Sequence, residues 1–176
     1  GELAAQVSKG RMTQAKADHL FHILIGTLDG SDFADCDFVI EAVFEEMHIK
    51  QEVFAQAEAV ISPTCILATN TSSLSITEMA SKLEHPERVV GFHFFNPVAV
   101  LPLLEIIKGE KTDDVTLATA FECAKKINKN AILVKDSPAF LVNRLLTRLL
   151  SDCFEIVEEG AEFQQVDDAA LMLGLP

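Results

Sequence analysis

Short apolar runs alternate along this sequence with longer stretches whose apolar residues recur at helical spacing, a pattern that calls for a parallel sheet with crossover helices. Asp37 to Val43 is an almost continuous apolar run, as expected of a strand covered on both faces. From Glu45 to Ile61, Met47, Phe54, Ala57 and Ile61 mark a helix that Pro63 stops. Thr64–Thr69 reads as a second strand and Asn70–Ser73 as a polar turn; Ser75 with Glu78 has capping-box spacing, predicting a helix to about Leu83. Arg88–Phe95 is a third strand, ended by Asn96-Pro97, and Leu101–Ile107 a fourth, stopped by Gly109. Leu117, Phe121, Ala124 and Ile127 share a helix face, and Ala131–Val134 is a last short strand. After Asp136-Ser-Pro138 the texture changes. A long helix is predicted over Ala139–Glu159, with Pro138 in its first turn and Gly160 as its cap, then a shorter one over Val166–Met172.

One loop is missing from this pattern. Doubly wound folds cradle a dinucleotide pyrophosphate with G-x-G-x-x-G, and that spacing occurs nowhere in the sequence. Residues 1–20 read as a helix already in progress, with no strand before it. The fold class is therefore α/β, an incomplete Rossmann-type doubly wound sheet whose first βαβ unit is missing, followed by the start of an all-α domain. The expected division is 1–136 and 137–176, and the chain reads as cut at both ends. Loss of the first strands from the order 3-2-1-4-5-6 exposes strand edges.

Composition narrows the chemistry. With 27 Asp and Glu against 14 Lys and Arg, the formal charge is −13, which argues against nucleic acid as a partner. A phosphate site would have to be built locally from backbone N–H groups or a few lysines. Cys36, Cys65, Cys123 and Cys153 form no CxxC pair and read as reduced thiols of a cytoplasmic protein. No run approaches the roughly 20 apolar residues of a membrane helix, and no signal peptide opens the sequence. There is no Tyr and no Trp, which removes any tyrosine acid or base. His19, His22, His48 and His85 lack metal-ligand spacing, so no metal is expected.

His93 stands near the end of a strand, where open α/β sheets bind ligands, and imidazole can accept a proton near neutral pH. By strand parity it shares a face with Val89 and Gly91. A core histidine bonded to backbone is the plainer reading. Glu105 bears on this choice, because a carboxylate inside Leu103-Leu-Glu-Ile-Ile107 needs a partner if buried, and the break at 96–102 can turn the chain so that the two meet. A carboxylate on one ring nitrogen makes the other a better base. Ser72 could bond a substrate oxygen or merely stabilise its turn. Asn143, in the long apolar helix, needs a partner or faces water. Glu45 and Lys50 could bind ribose hydroxyls or phosphate, or form a solvated helix face. Glu41 carries a burial cost like that of Glu105 and receives no role.

Gly91-Phe-His-Phe-Phe-Asn-Pro97 and Pro102-Leu-Leu-Glu-Ile-Ile107 closely resemble the L-3-hydroxyacyl-CoA dehydrogenases. Phe38-Val-Ile-Glu-Ala-Val-Phe-Glu45, Ala68-Thr-Asn-Thr-Ser-Ser73 and Asp136-Ser-Pro-Ala-Phe-Leu-Val-Asn-Arg144 extend the resemblance, in order, over essentially the whole chain. Pro102 is more like the multifunctional fatty-acid oxidation α-subunits than the small hydroxybutyryl-CoA enzymes. The resemblance implies His93 as catalytic base, Glu105 as its partner, and Ser72 and Asn143 on the substrate's oxygen. It places Ala42, Val43, Glu45, Lys50, Ser72 and Asn96 at NAD. The implied reaction is the NAD-dependent oxidation of (S)-3-hydroxyacyl-CoA to 3-ketoacyl-CoA in β-oxidation, by a homo-oligomer or a complex with a thiolase subunit.

Lacking the Gly-rich turn and most of the family's helical domain, the chain is expected to be inactive alone. Two other readings remain: a non-catalytic relative like the lens crystallins of this family, against which intact His93 and Glu105 argue, or a subunit-interaction fragment. A hydratase domain upstream would favour the latter.

Overall fold

The computed structural model describes residues 2–175, which form two compact units, one up to Asp32 and one from Phe33. The first holds helices α1 (Glu2–Ser8) and α2 (Gln14–His22). The single helix expected over residues 1–20 is thus two, with Gly1 outside the described residues. Gly10 adopts a left-handed φ of +67°, and the Thr13 side chain accepts from the Lys16 N–H to start α2 afresh.

The second unit is built on five strands, β1 (Phe38–Glu41), β2 (Ile66–Thr69), β3 (Val89–Phe94), β4 (Leu103–Lys108) and β5 (Asn130–Lys135), side by side in that order. Strands β1, β2 and β3 run parallel, β4 runs antiparallel to β3, and β5 runs parallel to β4. The sheet is therefore mixed, parallel as expected except where β4 reverses. Only residues 95–102 separate β3 from β4, too few for a crossover, so the chain can only turn back. That reversal sets His93 directly opposite Glu105.

Alternate strand residues feed two cores. Leu67, Val89, Ile107 and Val134 meet Phe54 of α3 (Met47–Glu58) and Ile76 and Met79 of α4 (Ile76–Ala80) on one face. Ile66, Ala68, Val90, Phe92, Leu104 and Ile106 meet Leu117, Ala120 and Ala124 of α5 (Asp114–Lys126) on the other. Parity places His93 and Glu105 on the α3/α4 face. Two helices, α6 (Val142–Glu158) and α7 (Phe163–Met172), close the described chain.

Two boundaries differ from expectation in ways that matter for the site. Strand β1 ends at Glu41 rather than Val43, because the Glu41 side chain turns back to accept from the Val43 N–H at 2.6 Å. Helix α6 begins at Val142 rather than Ala139, so Pro138 does not lie in its first turn. Ala139 and Phe140 take left-handed φ values of +60° and +50°, a conformation unfavourable for residues with a Cβ. The double break turns Phe140 inward, where it is 2% exposed within the α3/α4-side core.

Candidate active site

Two clusters of polar side chains form at the end of the sheet where β1, β2 and β3 terminate. In the first, His93 and Glu105 are buried, and the imidazole Nδ1 lies 2.7 Å from Glu105 Oε2. The ring stands between Phe95, at 4.7 Å between centroids, and Phe140, at 5.7 Å. The other oxygen, Oε1, accepts from the Leu141 N–H at 3.1 Å and the Val142 N–H at 2.9 Å. Those amides open α6, whose own N-cap side chain makes no capping bond. One carboxylate therefore fixes the imidazole and satisfies orphan donors of a helix, with the helix dipole adding to its stabilisation. With Nδ1 committed to Glu105, proton exchange with a ligand falls to Nε2, which no group among the described residues bonds.

In the second cluster, Glu45 follows β1 and is 40% exposed at its side chain. Its Oε1 accepts from Thr71 Oγ1 at 2.5 Å, from the Ser72 N–H at 2.9 Å and from Ser72 Oγ at 3.3 Å. Burial pushes the Glu45 carboxyl up, but the Thr71 and Ser72 hydrogen bonds and the Lys50 ammonium together outweigh it and hold the group below its ordinary value. Lys50 is not on a solvated helix face. It is fully buried, and its ammonium meets Glu41 at 2.7 Å and Glu45 at 3.3 Å. Asn143, in the first turn of α6, points its amide at the Ser72 carbonyl at 3.5 Å. Ala42 and Val43 are exposed beside Glu45. Asn96 is exposed after β3, on a turn that Lys129 braces by donating to the Val98 and Leu101 carbonyls. Its side chain hydrogen-bonds none of the other candidates among the described residues.

Several contributors escaped sequence reading. Asn70 Oδ1 accepts from the Phe94 N–H, tying the end of β2 to that of β3. Phe140 walls the imidazole, and Leu141 and Val142 offer only backbone. Asp136 accepts from Ser75 Oγ and from the Ile76 and Thr77 N–H groups, anchoring the segment that leads to Phe140. The Asp136-Ser-Pro break was the one available signal.

A nucleotide cofactor can be tested against these residues. A partly exposed, ionised Glu45 with Ser72 beside it suits hydroxyl groups, as on a ribose. The pyrophosphate cradle is not supplied by this sequence, which has no G-x-G-x-x-G turn. The residues present fit the ribose-bearing, reactive end.

A βα-alternating sheet with acid–base groups at its strand ends is the architecture of nucleotide-dependent dehydrogenases. Residues 1–137 match the family described as 3-hydroxyacyl-CoA dehydrogenase, NAD binding domain, and the chain belongs to that family. It is 44% identical, over 99% of its length, to the fatty acid oxidation complex subunit alpha of Pseudomonas putida, of which it spans 24%. Among solved structures it superposes on Mycobacterium tuberculosis FadB2 with a TM-score of 0.91 at 38% identity, covering 99% of this chain and 63% of that one. On the (S)-3-hydroxybutyryl-CoA dehydrogenase PaaH1 of Ralstonia eutropha the score is 0.94 at 33% identity, covering 99% and 62%.

Proposed function

We propose that this chain provides the acid–base half of the cofactor domain of an enzyme that oxidises (S)-3-hydroxyacyl-CoA to 3-ketoacyl-CoA in fatty-acid oxidation. The observation that carries the reading is the buried His93–Glu105 pair, 2.7 Å apart. His93 Nε2 takes the proton of the substrate's C3 hydroxyl, and in the reverse direction returns it to the carbonyl oxygen. Glu105 fixes the ring and stabilises the imidazolium that proton transfer creates. Ser72 and Asn143 donate to the same substrate oxygen. NAD, when bound, supplies the acceptor for the C3 hydride. Glu45 takes its ribose hydroxyls, with Lys50 beneath and Ala42, Val43, Ser72 and Asn96 around it.

Residues 137–175 begin a second, helical domain. The relatives are named as subunits of a complex, and apolar residues along α6, among them Leu145, Leu149 and Phe154, are exposed. Both features support assembly with further protein, as a homo-oligomer or with a thiolase subunit. No described helix is long and apolar enough to cross a membrane, and four free thiols suit a cytoplasmic site.

The test is reduction of acetoacetyl-CoA by NADH. The 176-residue chain alone is expected to bind NADH weakly and to show no turnover. A hybrid in which it replaces the matching segment of the P. putida subunit is expected to turn over, and His93→Gln to reduce the rate about 10²–10⁴-fold. Turnover by the chain alone would refute the expectation of inactivity, and an active His93→Gln hybrid would refute the role of His93.

A further inference from the structure

The proposed reaction leaves one member of the deepest charged pair, Glu41, without a task. Glu41 closes β1 and Lys50 lies in the first turn of α3, and each side chain is 1% exposed. The Glu41 carboxylate accepts from the Val43 N–H at 2.6 Å and Lys50 Nζ at 2.7 Å on Oε1. On Oε2 it accepts from Lys50 Nζ at 3.0 Å and Thr69 Oγ1 at 2.6 Å. Three donor groups make four hydrogen bonds to this carboxylate, so it has no face for a ligand. The ammonium lies against a second carboxylate too, with Glu45 Oε2 at 3.3 Å. That contact leads outward, from a buried pair to the one carboxylate of the network that is substantially exposed.

A pair that only joined a strand to a helix could be replaced by apolar residues of the same volume at little cost. Here the ammonium is shared between two carboxylates whose other oxygen contacts are already set. Glu41 draws it inward, and Thr71 and Ser72 hold Glu45 on the opposite side. Remove the charge of Glu41, and Glu45 becomes the only carboxylate left to Lys50. The balance then shifts, and Glu45 is pulled toward the ammonium and away from Ser72.

We propose that Glu41 is a positioning residue for the cofactor site, setting the place of the Glu45 carboxylate through the Lys50 ammonium without touching the cofactor. This rests on the reading that Glu45 receives ribose hydroxyls, and the test separates the two. The Ser72 amide, whose N–H donates to Glu45, reports on that carboxylate with no cofactor present. In ¹⁵N-labelled chain, Glu41→Gln is expected to move the Ser72 amide proton upfield and speed its exchange. It is also expected to weaken NADH binding, followed by amide shifts at Asn70 and Ser72, by about tenfold, the scale of one distorted charge-assisted hydrogen bond. Glu41→Gln/Lys50→Met removes both charges and is expected to displace the Ser72 amide resonance as well, which guards against a single variant that fails to fold.

A lowered Tm with an unmoved Ser72 amide and unchanged NADH affinity would overturn the proposal and leave the pair a structural strut. A Glu45→Gln variant that binds NADH as well as the unmodified chain would instead overturn the cofactor reading. The Ser72 amide would still decide whether Glu41 steers Glu45.

Discussion

Glu105 serves two sets of donors with two oxygens, and this decides how substitutions there behave. Its Oε2 faces His93 and its Oε1 faces the Leu141 and Val142 amides. Glutamine has the same shape but only one acceptor oxygen. Whichever way its amide turns, the –NH₂ confronts either the ring or two backbone N–H groups. Glu105→Gln is therefore expected to cost about 1–3 kcal/mol, the scale of hydrogen bonds to a charged group made neutral, measurable as a reduced midpoint in urea, and to leave the ring, if it accepts from the –NH₂ at Nδ1, with its proton on Nε2. It is also expected to shift the His93 ring ¹⁵N resonances. A variant as stable as the parent, with unchanged ring resonances, would contradict the shared role. The acid was visible in the sequence because it interrupts an apolar strand. Its second duty was not, because backbone amides thirty-six and thirty-seven residues away leave no mark in composition.

At the level of elements, β3 and β4 approach closely because position 91 has no side chain. A Cβ built on Gly91 would stand 2.7 Å from Ile107 Cβ and 2.8 Å from its Cδ1, with Ile76 Cδ1 at 3.0 Å. The nearest of these atoms is attached to the backbone of β4 and cannot swing aside. Gly91→Ala is expected to destabilise the fold by about 1–3 kcal/mol through overpacking, read as a lower Tm by calorimetry. The pairing of His93 with Glu105, two residues further along the same ladder, should loosen with it. Strand and helix identities were legible throughout the second unit, since Val/Ile-rich runs and the helical spacing of Leu117, Phe121 and Ala124 survive tertiary context, although the buried face takes in Ala120 and not Ile127, which is 43% exposed. Boundaries were less so. Helix α6 starts late because a left-handed pair at Ala139 and Phe140 is imposed by packing and by a carboxylate on another strand, and local propensity favours the longer helix. The antiparallel turn before β4 was present as a short Pro-bounded gap, and loop length alone excludes a crossover there.

For the whole molecule, the charge of −13 and the row of apolar residues along α6 pull in opposite directions. Leu145, Leu146, Leu149, Leu150 and Phe154 are each 40–64% exposed. A contiguous exposed apolar row of this kind suits contact with other protein. The chain is expected to bind the dye ANS, and Leu145→Glu/Leu149→Glu to cut the fluorescence severalfold while Tm changes little, because neither side chain is buried. Dye binding unaffected by the pair would locate the apolar surface elsewhere. The same helix hangs, at its first turn, from the carboxylate that holds the imidazole. Whatever α6 leans against will be felt at the proton acceptor: a swing of the helix must either carry the ring along or let go of it, so the docking of one part of the protein and the aim of its base share a single pin.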